Sequence, residues 1–136
     1  MQVEKRPEKI KHWMKSVWII GGGQFGTRAA AAVQRLDETI RINVADKDFD
    51  TCRRLQANGY EAVCGEGVGL LYDTLKGGGM PDLIIPAIPV HVAYGWVRLS
   101  LERSYRIEPL IVPEAVRTVL PNPIKGDEGQ WYFSFA

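Results

Sequence analysis

Three glycines at positions 21, 23 and 26 follow directly on the apolar run Val17-Trp18-Ile19-Ile20, a Gly-x-Gly-x-x-Gly turn whose chemistry is phosphate binding. In that spacing Gly21 permits a tight turn off a strand. Gly23 lets the backbone approach a pyrophosphate, and Gly26 allows a helix to pack closely on the strand. The helix that follows points its positive end at the anion. A second chemical group stands 20 residues beyond Gly26, at Asp46. An acid at the end of a second strand accepts hydrogen bonds from both ribose hydroxyls of an adenosine and repels a 2′-phosphate, which favours NAD(H) over NADP(H). The adjacent Lys47 softens that preference. The plainer alternative is that Asp46, Lys47 and Asp48 flank a solvated turn and cap the next helix.

The elements that must position these groups alternate regularly. Residues 17–20 form a short unbroken apolar run, as in a parallel strand buried on both faces. Residues 24–36 predict a helix with Phe25, Ala29, Ala32, Val33 and Leu36 on one face. Residues 40–45 alternate as a second strand ending at Asp46. Residues 49–58 predict a helix with Cys52 and Leu55 inward, closed by a left-handed cap at Asn58-Gly59. A third strand over 60–64 leads through Gly65-Glu66-Gly67 into a helix over 68–75, and a fourth strand covers 82–85. A helix over 90–102 is expected to be interrupted by Gly95, and a fifth strand is expected over 110–112. Pro113 starts another helix, and the aromatic run 131–135 suits a terminal strand. Repeated βα units imply an α/β fold, a three-layer Rossmann-like doubly wound parallel sheet with a C-terminal edge strand. That strand either extends the sheet or pairs with another subunit, so a homodimer is expected.

At 136 residues and a formal charge of +1, the chain suits one domain and carries no whole-chain attraction to nucleic acid or acidic membranes. The expected organisation is a basic amphipathic helix within 1–15, a nucleotide-binding domain over 16–120, and a turn with an aromatic strand over 121–136. The first of these, with Ile10, Trp13 and Met14 at helical spacing, reads as a surface cap, tether or lid. Cys52 and Cys64 are too few for a zinc site and read as buried core thiols without a redox role. No secretory signal or membrane-length apolar run is present, and a cytoplasmic protein is expected. No metal constellation appears. Arg53, Arg54, Arg98, Arg103 and Arg106 read as solvated helix faces.

The assembled motifs resemble the TrkA-N, or RCK, family of nucleotide-binding domains that regulate potassium channels and transporters. The resemblance covers roughly residues 16–85. Its points are Gly21-Gly22-Gly23-Gln24-Phe25-Gly26, the acid in Val44-Ala45-Asp46-Lys47-Asp48, and Gly65-Glu66-Gly67, which looks like the family's Gly-Asp-Ala or Gly-Asp-Gly turn. It implies NAD or NADH across the carboxyl ends of the strands, with the glycine loop on phosphates, Asp46 on ribose, and Glu66 near the adenine. It also implies a membrane transporter as partner. After the fourth strand the chain departs from the family pattern, at Pro86-Ala87-Ile88-Pro89-Val90-His91.

His91 is the one candidate acid or base near the crevice, with a role in starting the next helix as the favoured alternative. No second acid, base or nucleophile is visibly coupled to it. Two function classes follow: a regulatory module that senses NAD(H), ATP, ADP or AMP, and the cofactor domain of an NAD-dependent oxidoreductase that takes its substrate pocket from a partner domain or subunit. S-adenosylmethionine binding is a third, weaker class.

Overall fold

A computed structural model describes residues 13–126 and 129–133, which fall into two compact units divided between Tyr105 and Arg106. The expected N-terminal helix lies outside the described residues as far as Lys11 and His12. Residues 13–15 are not helical, and Met14 is buried.

The first unit is a Rossmann-like α/β sheet. Its elements run β1 (Ser16–Ile20), α1 (Gln24–Leu36), β2 (Arg41–Asp46), α2 (Phe49–Ala57), β3 (Glu61–Cys64), α3 (Gly67–Lys76), β4 (Leu83–Pro86) and α4 (Val92–Glu102). The four strands are parallel in the order β3-β2-β1-β4. The chain moves outward from β1 to β3 and then crosses back to β4 on the other side of β1, so the strand order reverses at the end of β1. That reversal opens a crevice beyond the carboxyl ends of the strands.

Alternation along β1 and β2 sorts the core into two layers. Val17, Ile19, Ile42 and Val44 face one way and pack with Ala30 and Val33 of α1 and Leu55 of α2. Ile20 and Ala45 face the other way and pack with Leu71 of α3 and Val92 of α4, with Trp18 alongside. β1 is thus covered on both sides, as its unbroken apolar run requires.

Two helices differ in detail from the sequence expectation. The inward residues of α1 are Gly26, Ala30 and Val33, whereas Phe25 is 72% exposed and Leu36 46% exposed. The helix is rotated because Gly26 must sit against the carbonyl of Gly21, and the residues four and seven positions on then share its face. Helix α4 is not interrupted at Gly95. A Cβ there would stand 3.1 Å from Cγ1 of Val68, so the glycine lets α4 lie close to α3.

The second unit contains α5 (Glu114–Val119) and an antiparallel pair, β5 (Ile124–Lys125) with β6 (Trp131–Tyr132). The expected strand at 110–112 is absent: the segment is irregular, and Leu110 and Ile111 are 90% and 94% exposed. Proline on each side, at 109 and 113, removes backbone donors and leaves too short a run to pair. The aromatic strand also pairs differently from the expectation. Trp131 and Tyr132 close a local hairpin with Lys125 and Ile124 instead of adding an edge to the large sheet. Residues 127–128 and 134–136 of that expected element lie outside the described residues. The Arg117 guanidinium sits 5.0 Å from the centroid of the Trp131 ring.

Candidate functional site

The glycine loop leaves β1 between two neighbouring strands. The Gly21 N–H donates to the Ala45 carbonyl at 2.7 Å, and the Ala87 N–H donates to the Ile20 carbonyl at 2.7 Å. Gly21 has φ of +108°, and a Cβ there would lie 2.6 Å from Cγ2 of Ile88 and 2.7 Å from the Ala87 carbonyl oxygen. Left-handed backbone and close approach both demand glycine. The unusual Pro86-to-Pro89 stretch is therefore the wall against which the glycine loop turns.

Gly23 is different. Its backbone is extended, with φ of −66°, and no atom lies within 4 Å of where a Cβ would be. It is the N-cap of α1 and offers no side chain to the first-turn N–H groups, which a helix leaves without intrahelical partners. Gln24 and Phe25 are exposed beside it, while Gly26 is buried. Open space in front of unpartnered helix N–H groups has the form of an anion site.

Asp46 organises the loop from β2. Its Oδ2 accepts from the Gly22 N–H at 2.6 Å and its Oδ1 accepts from the Asp48 N–H at 2.8 Å. Each carboxylate oxygen retains acceptor capacity for a ribose hydroxyl. The capping alternative holds as well, but through Asp48, whose Oδ2 accepts from the Thr51 N–H at 2.8 Å at the start of α2. Hydrogen bonds from Thr51 hold the Asp48 carboxyl below its ordinary value. Lys47 is exposed.

Arg54 was read from the sequence as a solvated helix face. Its Nη2 donates to the Gly22 carbonyl at 3.1 Å, and the Thr27 hydroxyl donates to the same oxygen at 3.1 Å. The guanidinium retains further donors beside the glycine loop. Only helical phase could have found it: Arg54 stands three residues after Thr51, in the next turn of α2.

At the second turn, Gly65 donates its N–H to the Asp46 carbonyl at 2.8 Å, which ties that turn to the end of β2. Glu66 is the N-cap of α3: Oε1 accepts from the Val68 N–H at 3.0 Å and Oε2 from the Gly69 N–H at 2.7 Å. Its carboxylate completes the helix end rather than projecting free into the crevice. Gly67 packs so close to β1 that a Cβ would lie 2.5 Å from Cγ2 of Ile20.

His91 is the N-cap residue of α4, exposed, and makes no side-chain cap bond. The structure thus brings the glycine loop, Asp46, Gly65 and Glu66 together around the ends of β1 to β3, with His91 at the start of the helix after β4.

The two cysteines do not match the core reading equally. Cys52 is buried, whereas Cys64 is exposed at the end of β3. A small cavity of about 190 Å³ lies among Ser16, Trp18, Arg41, Asn43 and Met80, at the opposite, amino ends of the strands. It has no part in this site. Among the described residues there is no group of metal-ligating side chains, and no helix is long and apolar enough to cross a membrane.

No curated protein and no solved structure matches the chain. A family model does, over the segment that runs from β1 through most of α3. Residues 17–75 match the TrkA-N domain, so the resemblance to that family holds over this segment, whose parallel sheet has the Rossmann-like strand order.

Proposed function

We propose that the first unit binds NAD or NADH as a regulatory module, the dinucleotide lying across the carboxyl ends of β1, β2 and β3. The observation that carries this reading is the open space at Gly23, in front of the free N-terminus of α1 and next to a loop held by Asp46. The pyrophosphate meets the N–H groups of Gly23, Gln24, Phe25 and Gly26, with Gly21 and Gly22 shaping the turn. The adenosine ribose hydroxyls donate to Asp46, beside Lys47. The adenine lies toward Gly65, and Glu66 acts indirectly by fixing the start of α3. Arg54 adds positive charge at the loop. ATP, ADP or AMP would engage the same groups with a shorter phosphate chain.

The same crevice supports a second reading, the cofactor domain of an oxidoreductase whose substrate pocket comes from a partner domain or subunit. Its motivation is the position of His91, which follows the loop whose Ala87 and Ile88 press on Gly21. A regulatory module is preferred because the glycine loop and Asp46 suffice to hold a dinucleotide, whereas hydride transfer needs a substrate pocket from another domain or subunit.

A homodimer fits the exposed stripe Tyr94, Val97 and Leu101 on α4, spaced along one helical face. A cytoplasmic protein acting on a membrane transporter completes the proposal, by analogy with the family.

Mass spectrometry of small molecules released from the purified, denatured protein tests the central reading. Recovery of NAD or NADH is expected. If neither is recovered, and no adenine nucleotide raises the melting temperature, the nucleotide reading fails.

A further inference from the structure

Cys52 and Cys64 are 12 residues apart in sequence, on different elements, yet their thiols meet consecutive carbonyls of one turn, those of Asp46 and Lys47. The Cys52 Sγ–H donates to the Asp46 carbonyl at 3.3 Å, and the Cys64 Sγ–H points at the Lys47 carbonyl at 3.8 Å. Cys64 is the register partner of Asp46 across the β2–β3 pair, where neighbouring parallel strands lie about 4.8 Å apart. The Asp46 carbonyl that receives the Cys52 thiol also receives the Gly65 N–H at 2.8 Å, so that thiol lies beside the peptide that follows Cys64. One thiol is buried and the other exposed, so an oxidant in solvent reaches Cys64 first. Burial, with the neighbouring Cys64 thiol adding to it, pushes the Cys52 thiol up to about 11, so Cys64 is the thiol that meets an oxidant first.

We propose that Cys52 and Cys64 are a modification site, a dithiol that a peroxide closes to a disulfide, and that closure weakens dinucleotide binding at the adjacent Asp46 turn. The effect on binding rests on the nucleotide reading above; the cross-link does not. In the first step the Cys64 sulfur attacks hydrogen peroxide, the O–O bond breaks, and Cys64 becomes a sulfenic acid with release of one water. The Cys52 sulfur then attacks the Cys64 sulfur. The S–S bond forms, the S–O bond breaks, and the Cys52 proton leaves with the hydroxide as a second water. Two thiols lose two electrons, and one peroxide is reduced to two waters. Closure takes the Cys52 sulfur away from the Asp46 carbonyl and ties the first turn of α2 to the end of β3. The Asp46–Asp48 turn, whose side chain holds Gly22, lies between those anchors.

The test is peroxide treatment of the full chain, then alkylation, tryptic digestion and mass spectrometry, with NADH binding measured on the same samples. The expected product joins peptides 48–53 and 55–76 through Cys52 and Cys64, with a loss of two hydrogens that dithiothreitol reverses. Cys64→Ser should abolish it. NADH affinity should fall at least threefold on closure and recover on reduction. Oxidation of Cys64 alone, or only disulfides between two copies, overturns the thiol pair. A closed disulfide with unchanged NADH affinity overturns the coupling to the site. A reduced protein that binds no NADH defeats the nucleotide reading, while the peptide map still judges the dithiol.

Discussion

The Gly22 N–H donates to Oδ2 of Asp46 at 2.6 Å, across 24 residues of chain. The end of β2 therefore holds the turn that leaves β1. The acid proposed for the ribose is also the clamp that shapes the phosphate loop. With the Asp48 N–H on its other oxygen, the carboxylate is oriented before any ligand arrives.

Removal of that clamp should affect both stability and binding. Asp46→Ala leaves the Gly22 and Asp48 N–H groups without their charged acceptor, and hydrogen bonds of that kind contribute about 1.5–3 kcal/mol each net of exchange with water. A fall in melting temperature without ligand is expected, together with loss of the NADH-induced shift. Unchanged stability of the ligand-free variant would show that the clamp contributes nothing. Asp46→Asn should be intermediate, because its amide oxygen can still accept one of the two bonds.

Gly23 and Gly21 should respond oppositely to a side chain. Gly23→Val fills open space and costs about 1 kcal/mol or less through the weaker N-cap, so a near-native melting temperature with no NADH binding is expected. Gly21→Ala meets the Ala87 carbonyl and Ile88 in a left-handed conformation and should be strongly destabilised. Circular dichroism melts with and without NADH separate the two behaviours. Tight NADH binding by Gly23→Val would remove the phosphate from this loop.

Arg54 is expected to matter for anions more than for folding. Its bond to the Gly22 carbonyl joins an exposed side chain to the loop, so Arg54→Ala should change stability by less than about 1 kcal/mol. NADH affinity should fall several-fold, and less at high salt, since screening already weakens the wild-type interaction. Isothermal titration at two ionic strengths provides the comparison, and an affinity unchanged at both would place Arg54 outside the site.

A pH-dependent contribution should come from Asp82, at the foot of β4. It accepts from the Lys15 N–H at 2.7 Å, the Ser16 N–H at 2.9 Å and the Ser16 hydroxyl at 3.2 Å. The backbone bonds, that of Lys15 foremost, hold its carboxyl below the ordinary value of 3.8. A group depressed in the folded state stabilises above its unfolded value, and that stabilisation is lost as pH falls through the folded one. Asp82→Asn should therefore lower the melting temperature at pH 7, and the deficit should shrink as pH falls below about 4. A deficit that stays constant from pH 7 to pH 3 would assign the effect to packing instead.

Much of this was legible in local sequence. Gly21 and Gly26 specify a turn because only glycine tolerates the left-handed backbone at the first and the close approach at both. The α1 boundaries, the cap at Asn58-Gly59, where Gly59 has φ of +86°, and the placement of Asp46 at a strand end follow from near neighbours in the chain. The apolar run of β1 likewise announced a strand covered on both faces.

Tertiary structure decided which of these groups meet. The rotation of α1 was set by the contact of Gly26 with Gly21, which turned Phe25 outward despite its apolar spacing. The Asp46 clamp on Gly22 needed the parallel register of β1 and β2, and the approach of Arg54 needed the packing of α2 on that register. Cys64 stands exposed beside buried Cys52 because β3 is an edge strand whose end is left uncovered. Backbone sterics and periodicity act over a few residues, so the sequence by itself determined the turn, the helices and the strand that carry the site. Register and helical phase are fixed by burial across the sheet, and they alone decided that an acid, an arginine and two thiols would share one turn.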